Sequence, residues 1–117
     1  MNYGKFALPT NSISYIEGEG NYSTIGQIDG KKVHSSFTMR IFSDYLKQQG
    51  NFFSPRKGLL LNVHEIIKVE NKKGNLFAVL KNKQRHILSR RKGRQLLEYI
   101  KSNGFDVKFV GFGSYYN

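Results

Sequence analysis

Seven cations crowd residues 81–94: Lys81, Lys83, Arg85, Arg90, Arg91, Lys92 and Arg94, with no Asp or Glu among them. Such a run is either a solvated basic face or a surface for a polyanion. The helix expected to start at Arg90 separates the two. A helix N-terminus already carries partial positive charge, so each exposed cation there is disfavoured by about 0.3–1 kcal/mol. Arg90, Arg91, Lys92 and Arg94 occupy these first turns, where stability alone would favour Asp or Glu. Four cations at the wrong end imply that an anion is expected, and the free N–H groups of the first turn point at it too. A phosphate backbone satisfies both features. Arg adds a planar fork that can bond guanine O6 and N7 together. Lys suits a phosphate contact or a single-point reader, so a mixed cluster can position and specify at once.

Two further stretches could face the same partner. Ser54-Pro55-Arg56-Lys57-Gly58 reads as a short basic loop, stiffened by Pro55 and freed by Gly58; its plain alternative is a turn between helix and strand. The Gly18–Tyr22 loop is the third and weakest. Its Gly-x-Gly is no phosphate-loop fingerprint, because a third Gly and a following helix are lacking. Catalytic chemistry finds little support. His34, His64 and His86 could join Glu17, Glu19, Glu65 and Glu70 in a nuclease or metal site, but the histidines fall on different expected elements without ligand spacing. No catalytic residue, metal ligand or cofactor is therefore expected.

The elements that must carry these residues are mostly short strands between turn signals. Residues 12–17 and 22–28 read as strands. Asp29-Gly30 signals a type I′ hairpin turn, because both central positions need positive φ, and residues 31–36 return antiparallel. Met39, Phe42 and Leu46 fall at helical spacing beside Ile41 and Tyr45, with Thr38 as cap and Gly50 as stop. Residues 59–63 and 66–70 are apolar enough for buried strands. Asn71 to Asn75 is a turn, and residues 76–81 and 84–88 form a second hairpin across Asn82-Lys83. The last helix runs from about Arg90 to Ser102, with Ser89 as N-cap, Leu96, Leu97 and Ile100 as apolar face and Gly104 as stop. Val107 to Val110 is a candidate strand in the tail.

The chain has 117 residues, which fits one domain. Lys plus Arg number 19 against 8 Asp plus Glu, a net charge of +11 and a pI near 10.0. That field favours nucleic acid or an acidic membrane surface. The absence of cysteine excludes disulfides, thiol catalysis and Cys-based zinc sites. Residues 1–10 lack a signal-peptide core and no apolar run is long enough to span a bilayer, so a cytoplasmic location without membrane insertion is expected. Neither helix pairs a Lys-rich face with a broad apolar one, as a membrane-surface binder does.

The ordered set Ile13-Ser14-Tyr15-Ile16-Glu17, Gly20-Asn21-Tyr22, a hairpin, a helix ending at Leu46, Phe52-Phe53, Leu60-Leu61-Asn62, Ile66 and Ser89-Arg90-Arg91 resembles the LytTR DNA-binding domain, from about Lys5 to Lys101. The resemblance implies a mainly β fold with small helices (β-rich α+β), an elongated stack of antiparallel sheets. It implies a bacterial transcription regulator, of the kind that serves as the output half of response regulators. It further implies loops that enter successive major grooves of double-stranded DNA at promoter direct repeats. Residues 1–104 correspond to the domain, and residues 105–117 form an extension that can supply an edge strand or a partner surface. Carried over by position, Tyr22, Lys57 and Arg91 reach base edges. Arg56, Ser89, Arg90, Lys92 and Arg94 fall at phosphates, while Glu17 and Asn62 are structural. A homodimer on tandem sites and a regulatory protein acting in trans are the further partners implied.

The middle loop departs from the family's usual Arg-x-His-Arg-Ser, which bears on the operator sequence. The rival reading is an RNA-binding or ribosome-associated small basic protein. It would recruit Tyr3, Phe6, Tyr15, Phe77, Phe109 and Tyr115 as stacking platforms.

Overall fold

The computed structural model describes residues 2–3, 6–7 and 10–113, with side chains from Thr10 onward. Two short strands, β1 (Asn2–Tyr3) and β2 (Phe6–Ala7), pair with each other. A five-stranded antiparallel sheet follows, built from β3 (Ile13–Glu19), β4 (Tyr22–Gln27), β5 (Lys32–Ser35), β6 (Phe52–Arg56) and β7 (Leu59–Asn62) in the order β5-β4-β3-β7-β6. Helix α1 (Met39–Leu46) interrupts it between β5 and β6. The second sheet holds β8 (Ile66–Lys72), β9 (Asn75–Leu80), β10 (Arg85–Leu88) and β11 (Lys108–Val110) in the order β10-β9-β8-β11. Helix α2 (Arg90–Asn103) lies between β10 and β11. The molecule is elongated, 47 × 25 × 24 Å.

The first sheet is covered on both faces, which explains why Leu59, Leu60 and Leu61 are all fully buried in one strand. Successive side chains on a strand point to opposite faces. Leu60 joins Ile13, Ile16, Ile25, Phe42, Leu46 and Phe52 in a core under α1. Leu59 and Leu61 join Tyr15, Val69, Leu80, Leu88, Leu96 and Ile100 in a larger core shared with the second sheet and α2. The continuous apolar run is thus the signature of a strand with no solvated side. Asn62 ends it and ties the layers: its amide donates to the Ile13 carbonyl at 2.9 Å, and its Oδ1 accepts from the His64 N–H at 3.0 Å.

Helix α2 starts and stops as its ends dictate. Ser89 is the N-cap, its side chain accepting from the Lys92 N–H, and Gly104 closes the helix in the left-handed region. Gly93 lets this helix sit down on the sheet. A Cβ there would lie 2.8 Å from Leu76 Cδ1 and 3.2 Å from Leu88 Cβ.

Several turns differ from the expectation. Thr38 occupies the N-cap of α1 but makes no side-chain capping bond. Asp29-Gly30 is not a type I′ turn, since only Gly30 has positive φ. The Gly30 N–H bonds the Gln27 carbonyl and Asp29 Oδ1 accepts from the Lys31 N–H, the pattern of a three-residue loop with Gly at its left-handed position. The pair with positive φ at both positions is Lys73-Gly74, between β8 and β9. The expected Ser54–Gly58 loop is strand as far as Arg56. A register shift between Phe53 and Arg56 accommodates Pro55, leaving Lys57-Gly58 as the whole turn. One pairing is also parallel rather than antiparallel: β11 runs alongside β8 because α2 serves as a crossover.

Lys83 holds φ +70 in the β9–β10 turn. A side chain in that region is strained by about 1–2 kcal/mol, partly offset by the entropy that glycine loses on folding. Lys83→Gly is therefore expected to raise stability by about 0.5–1 kcal/mol in urea unfolding. An unchanged or lowered midpoint would show that the lysine side chain makes up for its backbone.

Candidate nucleic-acid interface

Three turns line one end of the five-stranded sheet. Strand β3 runs into the Gly20-Asn21 turn, a two-residue hairpin closed by the Glu19–Tyr22 pair, with Gly20 at φ +66. Strand β7 is antiparallel to β3, and Glu17 pairs with Leu59, so the Lys57-Gly58 turn emerges at the same end. The Gly18 N–H bonds the Gly58 carbonyl at 2.8 Å and fastens these two turns together. The segment from β10 into α2 comes next: the Ser89 N–H bonds the Pro55 carbonyl at 3.2 Å, and Ser89 Oγ donates to the same carbonyl at 3.1 Å.

Arg56 joins all three. Its Nε donates to the Ile87 carbonyl at 3.0 Å, Nη1 to the Lys57 carbonyl at 3.2 Å and Nη2 to Glu17 Oε2 at 3.2 Å. One planar guanidinium thus bonds β3, the β6–β7 turn and the approach to α2, a reach that a single ammonium lacks. Arg56 is expected at a phosphate; in the structure three of its five N–H donors go to the protein. Ser89 likewise has its hydroxyl engaged twice, with Pro55 and with the Lys92 N–H. The sequence marks Glu17 and Arg56 as charged but carries no signal that they meet 39 residues apart.

Tyr22, Lys57 and Arg91 are all exposed on these three turns, Tyr22 by 66%. Arg90, Lys92 and Arg94 are exposed on the first turns of α2, which carry no acidic residue. Among the described residues Lys57, Lys83, Arg90, Arg91, Lys92 and Arg94 have no ion-pair partner, whereas Lys81 pairs with Glu65 at 3.6 Å and Arg85 with Glu70 at 3.3 Å. The basic run therefore divides. Its first part is partly neutralised within the fold, and its helical part has no ion pair among the described residues. Sequence reasoning missed Gly93, whose signal was present: a helical Gly costs about 1 kcal/mol against Ala, so its place in α2 calls for close packing.

Among the described residues, the aromatics named for stacking do not form a platform. Tyr15 is 2% exposed, and Phe77 lies under Arg85 at 4.5 Å. Phe109 is half-buried against the core. The side chains of Tyr3 and Phe6, and the whole of Tyr115, lie outside the described residues. The histidines and carboxylates form no group of three or more able to hold a metal ion, among the described residues. Among the described residues no helix is long and apolar enough to cross a membrane.

His86 lies behind the interface, its ring 4.7 Å from that of Tyr15, with Nε2 buried and without a hydrogen-bond partner among the described residues. Burial pushes its imidazole below the ordinary value of 6.5; Glu17 opposes this, while Arg56 and Lys32 add to it. The folded state therefore resists the proton that the unfolded chain accepts. The stability contributed by neutral His86 is complete above 6.5 and is lost as pH falls below it. His86→Phe is expected to lose less stability than the wild type between about pH 7.5 and about pH 5.5, the difference being at most about 1.4 kcal/mol per pH unit. Urea midpoints at both pH values check this, and an equal fall in the two proteins would contradict it.

A family model described as the LytTr DNA-binding domain matches residues 3–101. The fold is similar to a solved LytTr DNA-binding domain, from a protein of Bacillus cereus described as a methyl-accepting/DNA response regulator. The TM-score is 0.69 and the identity 14%, over 81% of this chain and 86% of that one. At this identity the likeness concerns the fold. No curated protein matches the sequence. The family match takes in all three turns and the basic start of α2, so the chain belongs to the LytTr family of DNA-binding domains, whose work is DNA binding and transcription regulation rather than catalysis.

Proposed function

We propose that the chain reads promoter DNA at direct repeats by seating the outer two of its three turns in successive major grooves of one duplex, with the middle turn between them. Tyr22, Lys57 and Arg91 meet base edges, and Arg90, Lys92 and Arg94 meet phosphates. Residues 1–104 make up this domain and residues 105–117 an extension. Two copies come together on tandem repeats.

The observation that carries this reading is the order of the turns. The backbone passes through β4, β3, β7 and β6 and then the segment at Ser89, five ribbons side by side. At about 4.8 Å per spacing these cover about 19 Å. The outward side chains of Tyr22 and Arg91 extend that span toward the ~34 Å between major grooves one turn apart. Arg56 and Ser89 hold the register of the turns rather than touch the duplex.

Lys92→Ala is expected to weaken specific and random duplex alike and to flatten the dependence of log K on log salt by about 0.9. Fluorescence anisotropy at several salt concentrations checks it; an unchanged slope would remove Lys92 from the phosphate contacts. Single-stranded RNA at matched salt should compete poorly with duplex DNA, since burial of Tyr15 removes a central member of any stacking face.

A further inference from the structure

Beside the basic start of α2 lies a cleft of about 540 Å³ that shares Arg90 and Arg94 with the proposed phosphate contacts. Its lining includes Arg90 and Arg94, Leu76 and Leu97, and Gly111 and Phe112 from the tail. Arg90 and Arg94 are four residues apart on one helix and so share a face. Neither has a carboxylate partner among the described residues.

The tail is fitted to this place. Strand β11 pairs with β8, after which Gly111 takes φ +84 directly against Asn71. A Cβ on Gly111 would lie 2.3 Å from the Asn71 carbonyl oxygen, so only glycine allows the crossing. The crossing lays Phe112 against the core that includes Leu97. The result is a pocket of ligand-binding size with a mixed lining, in which Phe112 and the edges of Leu76 and Leu97 supply apolar surface beside the Arg90 and Arg94 side chains.

We propose that this cleft is a binding site for a small organic anion, one carrying a single phosphate or carboxylate on an apolar or aromatic body. The anionic group takes the forks of Arg90 and Arg94, and the body lies between Leu76, Leu97 and Phe112. The consequence for regulation rests on the DNA reading above: an occupant that engages Arg90 and Arg94 takes them from the phosphates, so ligand and duplex compete.

The test uses the whole chain, with phenyl phosphate as probe and inorganic phosphate and benzyl alcohol as controls, followed by NMR chemical shifts. Phenyl phosphate is expected to move Leu76, Leu97, Gly111 and Phe112 saturably, at least about tenfold more tightly than either control. Phe112→Ala should weaken phenyl phosphate by about tenfold while leaving duplex affinity unchanged without the probe. With the probe present, duplex affinity should fall for the wild type and not for Phe112→Ala. Equal binding of phenyl and inorganic phosphate, or no effect of Phe112→Ala on the probe, would overturn the site and leave only a basic surface. Selective binding that does not weaken the duplex would uphold the site and instead remove Arg90 and Arg94 from the phosphate contacts.

Discussion

Arg91→Ala is expected to weaken binding to a specific duplex by about 1–3 kcal/mol, and binding to random duplex far less. The difference follows from what a guanidinium does at a base edge. Two parallel hydrogen bonds to one guanine discriminate between sequences, whereas a phosphate contact is the same everywhere. Arg91 is exposed in the first turn of α2 and has no ion pair among the described residues, so its removal takes little from the fold. It also relieves a cation at the positive end of a helix, which is worth about 0.3–1 kcal/mol. The variant should therefore be as stable as the wild type or slightly more so, yet a poorer reader. Anisotropy on the two duplexes, with urea unfolding alongside, checks both halves. Equal losses on both duplexes would put Arg91 on a phosphate, and a marked loss of stability would make it structural.

Arg56→Ala should also weaken specific binding, by about tenfold or more, for a different reason. It removes the bonds to Glu17, Lys57 and Ile87 that hold three turns in one register. Binding groups out of register must be ordered again on the duplex, at a cost in affinity. Each hydrogen bond is worth about 0.5–1.5 kcal/mol. The group is partly exposed and its ion pair correspondingly screened, so the loss of stability should be about 1–2 kcal/mol. Salt separates this role from a phosphate contact. A contact would lower the salt slope by about 0.9, and a fastener leaves it nearly unchanged. Arg56→Lys should resemble Arg56→Ala, because an ammonium cannot bridge three acceptors in a plane. A lowered slope with unchanged stability would return Arg56 to the DNA surface.

What could be read from the residues, and what could not, divides along the range of the interactions. Helix α2 was legible because its signals are local: Ser89 before it, Gly104 after it, and Leu96, Leu97 and Ile100 on one face. The buried strand at Leu59–Asn62 was legible for the same reason, through an apolar run bounded by turns. The basic start of α2 stood out because its charge opposes the helix dipole. Long-range features were hidden. Arg56 shows its charge in the sequence but not its three acceptors, which come from β3, its own turn and β10. Pro55 suggested a loop, yet a bulge on an edge strand tolerates it. The type I′ signal of Asp29-Gly30 failed because the loop has three residues rather than two, while Lys73-Gly74 adopts positive φ at both positions without an Asn or Asp. The direction of β11 depends on where α2 returns the chain, which no local pattern records.

The central claim is that Tyr22, Lys57 and Arg91 face one duplex in that order. It can be tested directly because the chain contains no cysteine. Single variants Tyr22→Cys, Lys57→Cys and Arg91→Cys can each carry an iron chelate that cuts nearby DNA. The cuts on a bound duplex should fall on one side of the helix, with those from positions 22 and 91 about one turn apart and those from 57 between them. Cuts that coincide, or a position among the three that leaves the bound duplex intact, would contradict this.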